Sequence, residues 1–150
     1  MNEPTILLIE DSEDDIFVMK HALKKSGIQY PLQVVTDGEM ALRYLGGEGD
    51  YVDRERFPIP FIIFLDLKLP YLNGFEVLSW IRKQRIFDTM VVVVLTGSAE
   101  TKDHDKAYAL GARSYLVKPP TPQCLNDLFN SLKSFWNATP PGSAVVSEPA

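Results

Sequence analysis

The stretch FIIFLDLKLPYLNG, residues 61–74, decides the fold. Its unbroken apolar run, Phe61-Ile62-Ile63-Phe64-Leu65, ends on Asp66 and turns at once through Pro70 and Gly74. Apolar positions that run on instead of alternating describe a strand covered on both faces, as in a parallel sheet under helices. A carboxylate at the end of such a strand costs free energy to desolvate unless something pairs with it. Asp66 therefore needs a partner or a job.

Working outward, four more β-branched or apolar runs end on polar or turn residues: 6–9 before Glu10-Asp11, 32–35 before Thr36-Asp37-Gly38, 91–95 before Thr96-Gly97, and 114–117 before Lys118-Pro119. Helical patterns fill the gaps. Residues 14–26 place Ile16, Met19, Ala22 and Leu23 on one face and stop at Gly27, a C-terminal cap. Residues 39–45 offer Ala41, Leu42 and Leu45; residues 75–84 offer Phe75, Leu78 and Ile81, with Asn73 placed to cap the start. Residues 102–110 are mostly polar, with a thin stripe at Ala107 and Leu110, and should pack least firmly. Leu125, Leu128, Phe129, Leu132, Phe135 and Trp136 follow the rhythm of an amphipathic last helix. Strand and helix alternate five times, which predicts an α/β, doubly wound, five-stranded parallel sheet with right-handed crossovers. Ligands of such sheets bind beyond the carboxyl ends of the strands, where the strand order reverses.

The chain has 150 residues, 45% hydrophobic and 23% charged, a composition that suits one folded domain with a single core. A net charge of −5 without a basic block gives nucleic-acid binding little support. Cys124, the single cysteine, excludes an internal disulfide and any multi-cysteine zinc site. The start MNEPTILLIEDSEDD lacks a secretory signal, and no apolar stretch nears the roughly 20 residues of a membrane span, so the expected location is cytoplasmic, away from membranes. The Asn137-Ala138-Thr139 glycosylation pattern is then chance. Residues 46–60, GGEGDYVDRERFPIP, form a long polar connection whose glycines follow a helix, which ill suits a nucleotide-binding loop. The Pro-, Ser- and Ala-rich residues 137–150 are read as a flexible tail after a folded unit spanning 1–136. His21 and His104 are read as surface residues on helices or their entrances.

The residues just past each strand end are Glu10 and Asp11, then Asp66, Thr96 and Lys118. Each has an ordinary explanation alone: an acidic pair opening a helix, a turn aspartate, a loop threonine, a surface lysine. At one edge of one sheet they converge, because neighbouring strands lie only about 5 Å apart. Crowded carboxylates raise one another's pKa unless a cation intervenes, and oxygen ligands with open water positions suit Mg²⁺. A carboxylate beside a divalent cation and an ammonium can accept a phosphoryl group, with Lys118 as a second point charge and Thr96 as a hydrogen-bond donor. Asp66 is the candidate acceptor.

The acidic pair after the first strand, Asp66 followed by LKLPYLNG, Thr96 in VVVVLTGSA and Lys118 in SYLVKP together resemble the receiver domain of two-component response regulators. The resemblance covers about residues 4–136 and implies a flavodoxin-like (CheY-like) (βα)5 fold with strand order 2-1-3-4-5. It also implies that Asp66 is the phosphoacceptor and that Glu10, Asp11, Asp66 and the Lys68 backbone carbonyl hold Mg²⁺. Thr96 is then the switch hydroxyl, Tyr115 the switch aromatic and Lys118 the phosphate-binding lysine, with Lys118-Pro119 cis. Lys68 and Ser98 sit where receivers tune phosphoryl lifetime. Glu10 where many receivers carry aspartate, the long 46–60 loop and the ending at Phe135-Trp136 resemble small response regulators of cyanobacterial phytochrome histidine kinases. A phytochrome-like histidine kinase donor is therefore expected, with homodimerisation through the fourth helix, fifth strand and fifth helix. Phe135 and Trp136 are candidate interface aromatics. The competing readings are a degenerate receiver acting as a constitutive dimeric interaction module, which Glu10 favours, and an aspartyl-nucleophile phosphatase, which Lys68 disfavours because a second acid belongs there.

Overall fold

The computed structural model describes residues 4–97 and 101–133. Five strands alternate with five helices in chain order: β1 (Ile6–Ile9), α1 (Glu13–Ser26), β2 (Leu32–Val35), α2 (Gly38–Gly46), β3 (Ile62–Asp66), α3 (Gly74–Arg82), β4 (Val91–Thr96), α4 (Thr101–Ala109), β5 (Ser114–Val117) and α5 (Pro122–Ser131). All strand pairs are parallel, and the sheet order is β2-β1-β3-β4-β5. The reversal of strand order falls between β1 and β3, as the doubly wound reading requires.

Sequence and structure meet closely at the element ends. Ser12, Asp37, Asn73 and Thr121 each accept a hydrogen bond from the backbone amide three residues on, which satisfies an N–H that the first helical turn cannot. Gly27 adopts φ 83°, a left-handed conformation that closes α1 through its N–H and carries little cost without a Cβ. Pro122 opens α5, where a missing amide proton is no loss.

Two apolar layers sandwich the sheet. One packs Leu7, Ile9, Ile63, Leu65, Val92 and Val94 against α2 and α3; the other packs Ile6, Leu8, Phe64, Val93 and Leu95 against α1 and α5. Residues 62–65 of β3 are wholly buried. Each such side chain contributes about 1.5–3 kcal/mol of burial free energy, which fixes the strand that carries Asp66. The edge strands depart from continuous burial: β2 and β5 are only partly covered along most of their length, because an edge lacks one neighbour. Among the described residues, no helix is long and apolar enough to cross a membrane.

The 46–60 connection is more organised than its polarity predicts. A short 3-10 turn at Gly49–Tyr51 leads into a segment in which Arg54 donates hydrogen bonds to the carbonyls of Tyr44, Leu45 and Phe57. The first two belong to the end of α2, where carbonyls lack helical partners. Tyr44, Tyr51 and Phe57 pack ring on ring beside them, with centroids 5.0–5.9 Å apart.

Candidate functional site

β1 runs one residue further than its last paired position: the Glu10 amide donates to Val35 O at 3.0 Å, which holds the Glu10 side chain at 1% exposure beyond the sheet. Asp66 is the last residue of β3 and sits beside Leu95 of β4. Gly74 explains how α3 can start so near: a Cβ there would lie 2.5 Å from Asp66 O and 2.6 Å from Leu67 Cα. The Lys118 amide donates to Thr96 O at 2.7 Å and so carries the β5 ladder one step on, and Lys118-Pro119 is cis, as expected.

These placements bring four charged side chains together. Lys118 Nζ lies 2.8 Å from Glu10 Oε1, 2.8 Å from Asp15 Oδ2 and 3.3 Å from Asp66 Oδ2. Asp66 Oδ1 accepts the Lys68 amide at 3.0 Å, and Glu10 Oε2 accepts the Ser12 amide at 3.2 Å. Glu10 Oε1, fully buried, is held by the Lys118 ammonium at 2.8 Å. Carboxylate oxygens of Glu10, Asp11 and Asp66 all lie within 4.8 Å of one another, with Asp11 exposed and the other two buried. An all-oxygen set of this kind, two buried and one exposed, fits a hard divalent cation.

The electrostatics follow from burial and charge. Burial pushes the Glu10 carboxyl up to about 7 against the pull of the Lys118 ammonium, with the neighbouring Asp66 adding to the rise. For Lys118, burial alone would favour the neutral amine. Asp15, Glu10 and Asp66 outweigh it and hold the group charged well above the ordinary lysine range.

The remaining expected residues sort as follows. Thr96 ends β4 and is buried, while the Lys68 side chain points to solvent. Tyr115 lies half-buried on β5, stacked on His104 with ring centroids 3.6 Å apart and met edge-on by Tyr108 at 6.1 Å. His21 is exposed, but the surface reading of His104 is corrected: its exposure is 7%, because it lies one turn before buried Ala107 on the inward face of α4. Ser98, Phe135, Trp136 and residues 137–150 lie outside the described residues. Two participants escape a reading of strand ends, Asp15 and His104. Asp15 stands in the first turn of α1 beside Glu13 and Asp14, where the helix dipole already accounts for acids. Near the same crevice, Tyr71 holds φ 68° without being glycine and is 86% exposed, a conformation uncommon for a bulky residue and suited to the tight β3–α3 turn.

Comparison with known proteins matches residues 6–130 to the response regulator receiver domain. Response regulator Rcp1 of Synechocystis sp. is 37% identical over 134 residues, which is 89% of each chain. A solved Mn(2+)-bound form of response regulator Rcp1 is 35% identical with TM-score 0.71, covering 98% of this chain and 99% of that one. The bacteriophytochrome response regulator RtBRR is 41% identical with TM-score 0.80, covering 97% of this chain and 89% of that one. The phosphorylated cyanobacterial phytochrome response regulator RcpA is 32% identical with TM-score 0.73, over 93% of this chain and 96% of its own.

Proposed function

This chain belongs to the response regulator receiver family, and on that footing we propose that it takes a phosphoryl group onto Asp66 from a phytochrome-like histidine kinase and switches a protein-contact surface in response. Receivers are signalling proteins of two-component systems, and two solved relatives named for phytochromes cover most of the chain. The observation that carries the Asp66 assignment is a single arrangement. One ammonium bridges Glu10 and Asp66 at 2.8 and 3.3 Å over the point where the strand order reverses.

In this proposal an Asp66 carboxylate oxygen attacks phosphorus in line. A new oxygen–phosphorus bond forms as the bond to the donor's imidazole nitrogen breaks, and the imidazole leaves with the electron pair. The Lys68 amide, 3.0 Å from Oδ1, orients the nucleophile, while Lys118 turns from the carboxylates toward the phosphoryl oxygens. A divalent cation, Mg²⁺, held by Glu10, Asp11, Asp66 and the Lys68 carbonyl would neutralise charge on the transferring group. Thr96 follows the phosphoryl group as its hydrogen-bond donor, and Tyr115 fills the space it leaves, which biases the face formed by α4, β5 and α5. That face is the proposed homodimer surface, and the protein acts in the cytoplasm as a phosphoacceptor and not as a turnover enzyme.

The test is intact mass after incubation with Mg²⁺ and acetyl phosphate, beside an Asp66→Asn variant. Wild type should gain one phosphoryl group that the variant lacks, and the same samples in sedimentation velocity should show the dimer fraction rise only in wild type. An equal gain by both proteins would remove Asp66 as the acceptor; a dimer indifferent to the adduct would support the constitutive module.

A further inference from the structure

We infer that Asp15 is a resting-state latch on Lys118: it competes with the incoming phosphoryl group for the ammonium and so sets how readily Asp66 is modified. The inference rests on the phosphoacceptor reading and concerns the regulation of that same site.

The argument starts from the three donors of one ammonium and the three carboxylates around it. The two short contacts, both 2.8 Å, go to Glu10 and Asp15, while the candidate acceptor Asp66 holds the longest, 3.3 Å. The Asp15 contact is a hydrogen bond, from Nζ to Oδ2 at 2.8 Å. Lys118 thus rests closer to Glu10 and to Asp15 of α1 than to the Asp66 carboxylate.

What separates Asp15 from Glu10 is where each can go. Glu10 is 1% exposed and shares the oxygen cluster with Asp11 and Asp66, so a cation bound there takes Glu10 out of competition for the lysine. Asp15 stands outside that cluster, and its carboxylate is 41% exposed. It is the anion that still holds the ammonium once a cation has engaged the others, and it can return to water cheaply when a phosphoryl group draws Lys118 away. A partly exposed pair is a weak one, which scales the effect to several-fold and keeps it far below the loss expected on removing Lys118 itself. Asp15 is accordingly a positioning residue, acting through Lys118.

The release has a second face. Asp15 sits in the first turn of α1, where its own amide is capped by Ser12 Oγ at 3.2 Å. Phosphorylation of Asp66 therefore frees a carboxylate on α1, a surface distinct from the α4–β5 side on which Tyr115 moves. By reciprocity, a cation brought against Asp15 from outside would loosen its hold on Lys118 and favour modification of Asp66.

The experiment uses the full chain as wild type, Asp15→Asn and Asp15→Glu, each compared first by thermal unfolding to show an intact fold. Two readouts are taken. In ¹⁵N-lysine-labelled protein without added donor, the Lys118 ammonium protons should exchange with water faster in Asp15→Asn than in wild type, with Asp15→Glu close to wild type. With Mg²⁺ and acetyl phosphate, the initial rate of adduct formation should rise about twofold to fivefold in Asp15→Asn and fall back in Asp15→Glu. Unchanged ammonium exchange overturns the latch, and so does faster exchange without a faster modification rate. A wild type that takes no phosphoryl group sinks the phosphoacceptor reading and the latch with it. An active wild type matched by an indifferent Asp15→Asn sinks the latch alone.

Discussion

Two aromatic groupings in this chain look alike and are built on opposite plans. At the end of α2, Tyr44, Tyr51 and Phe57 are tied into the backbone: the Tyr44 hydroxyl donates to Pro58 O at 2.8 Å, and Arg54 donates to three carbonyls at 2.7–3.1 Å. At the opposite edge of the sheet, His104 and Tyr108 of α4 meet Tyr115 of β5 through a ring face and a ring edge, with Tyr108 45% exposed. The Tyr44 ring cannot move without breaking its hydrogen bond to the part-buried Pro58 carbonyl, at a cost of about 1–3 kcal/mol. The Tyr115 ring, stacked on the His104 face, is the member proposed to slide off and repack. The first grouping holds a fifteen-residue connection still, and the second lies where a receiver is proposed to move.

The contrast can be broken most forcefully at Tyr44, which is wholly buried. Tyr44→Ala should cost about 3–5 kcal/mol in urea unfolding, since it opens a cavity and strands Pro58 O, yet leave the rate of acetyl phosphate modification near wild type. A large loss of modification rate in a folded variant would mean that the two regions are coupled.

The same residue gives a pH signature of intermediate size. Burial pushes the Tyr44 phenol up from 10.0 to about 12, with Arg54 pulling the other way. The folded chain therefore holds that proton more tightly than the unfolded chain. Its contribution is whole below pH 10 and is lost as pH rises through 12, to the extent of about 2–3 kcal/mol. Wild type should lose stability over that window by more than Tyr44→Phe does, and parallel curves would show that the phenol is not the cause.

The smallest effect sharpens the other side. His104→Ala removes the ring stacked on Tyr115 and should cost less than Tyr44→Ala, while the Tyr115 ring gains a second orientation visible as exchange broadening of its NMR signals. If His104→Ala destabilised the fold as much as Tyr44→Ala, the ring-face plan would be as rigid as the anchored one.

These differences track what the amino-acid order can reveal. Continuous apolar runs closing on Glu10, Asp66, Thr96 and Lys118 are legible because a buried parallel strand leaves no other place for a polar residue than its end. Caps such as Asn73 and Gly27 are legible because the first and last helical turns have fixed unmet hydrogen bonds. The Arg54 clamp is not legible, since its three acceptors are backbone groups with no sequence identity of their own. His104 escapes notice because one imidazole in TKDHDKAYA, a nearly all-polar helix, reads as surface until its neighbour across the strand is known. Asp15 is hidden among three consecutive acids, and only the position of a residue far along the chain tells them apart.

That distance has a consequence for how the molecule is made. Asp15 and Lys118 are 103 positions apart, so the lysine is the last member of the cluster to emerge during synthesis. Until it does, β1, β3 and β4 can pair while Glu10, Asp15 and Asp66 crowd one edge with no cation of the chain's own to balance them. Docking of β5 then brings charge neutralisation and strand pairing in one late step. A chain stopped short of residue 118 would lack the ammonium that pairs with Glu10, Asp15 and Asp66 alike.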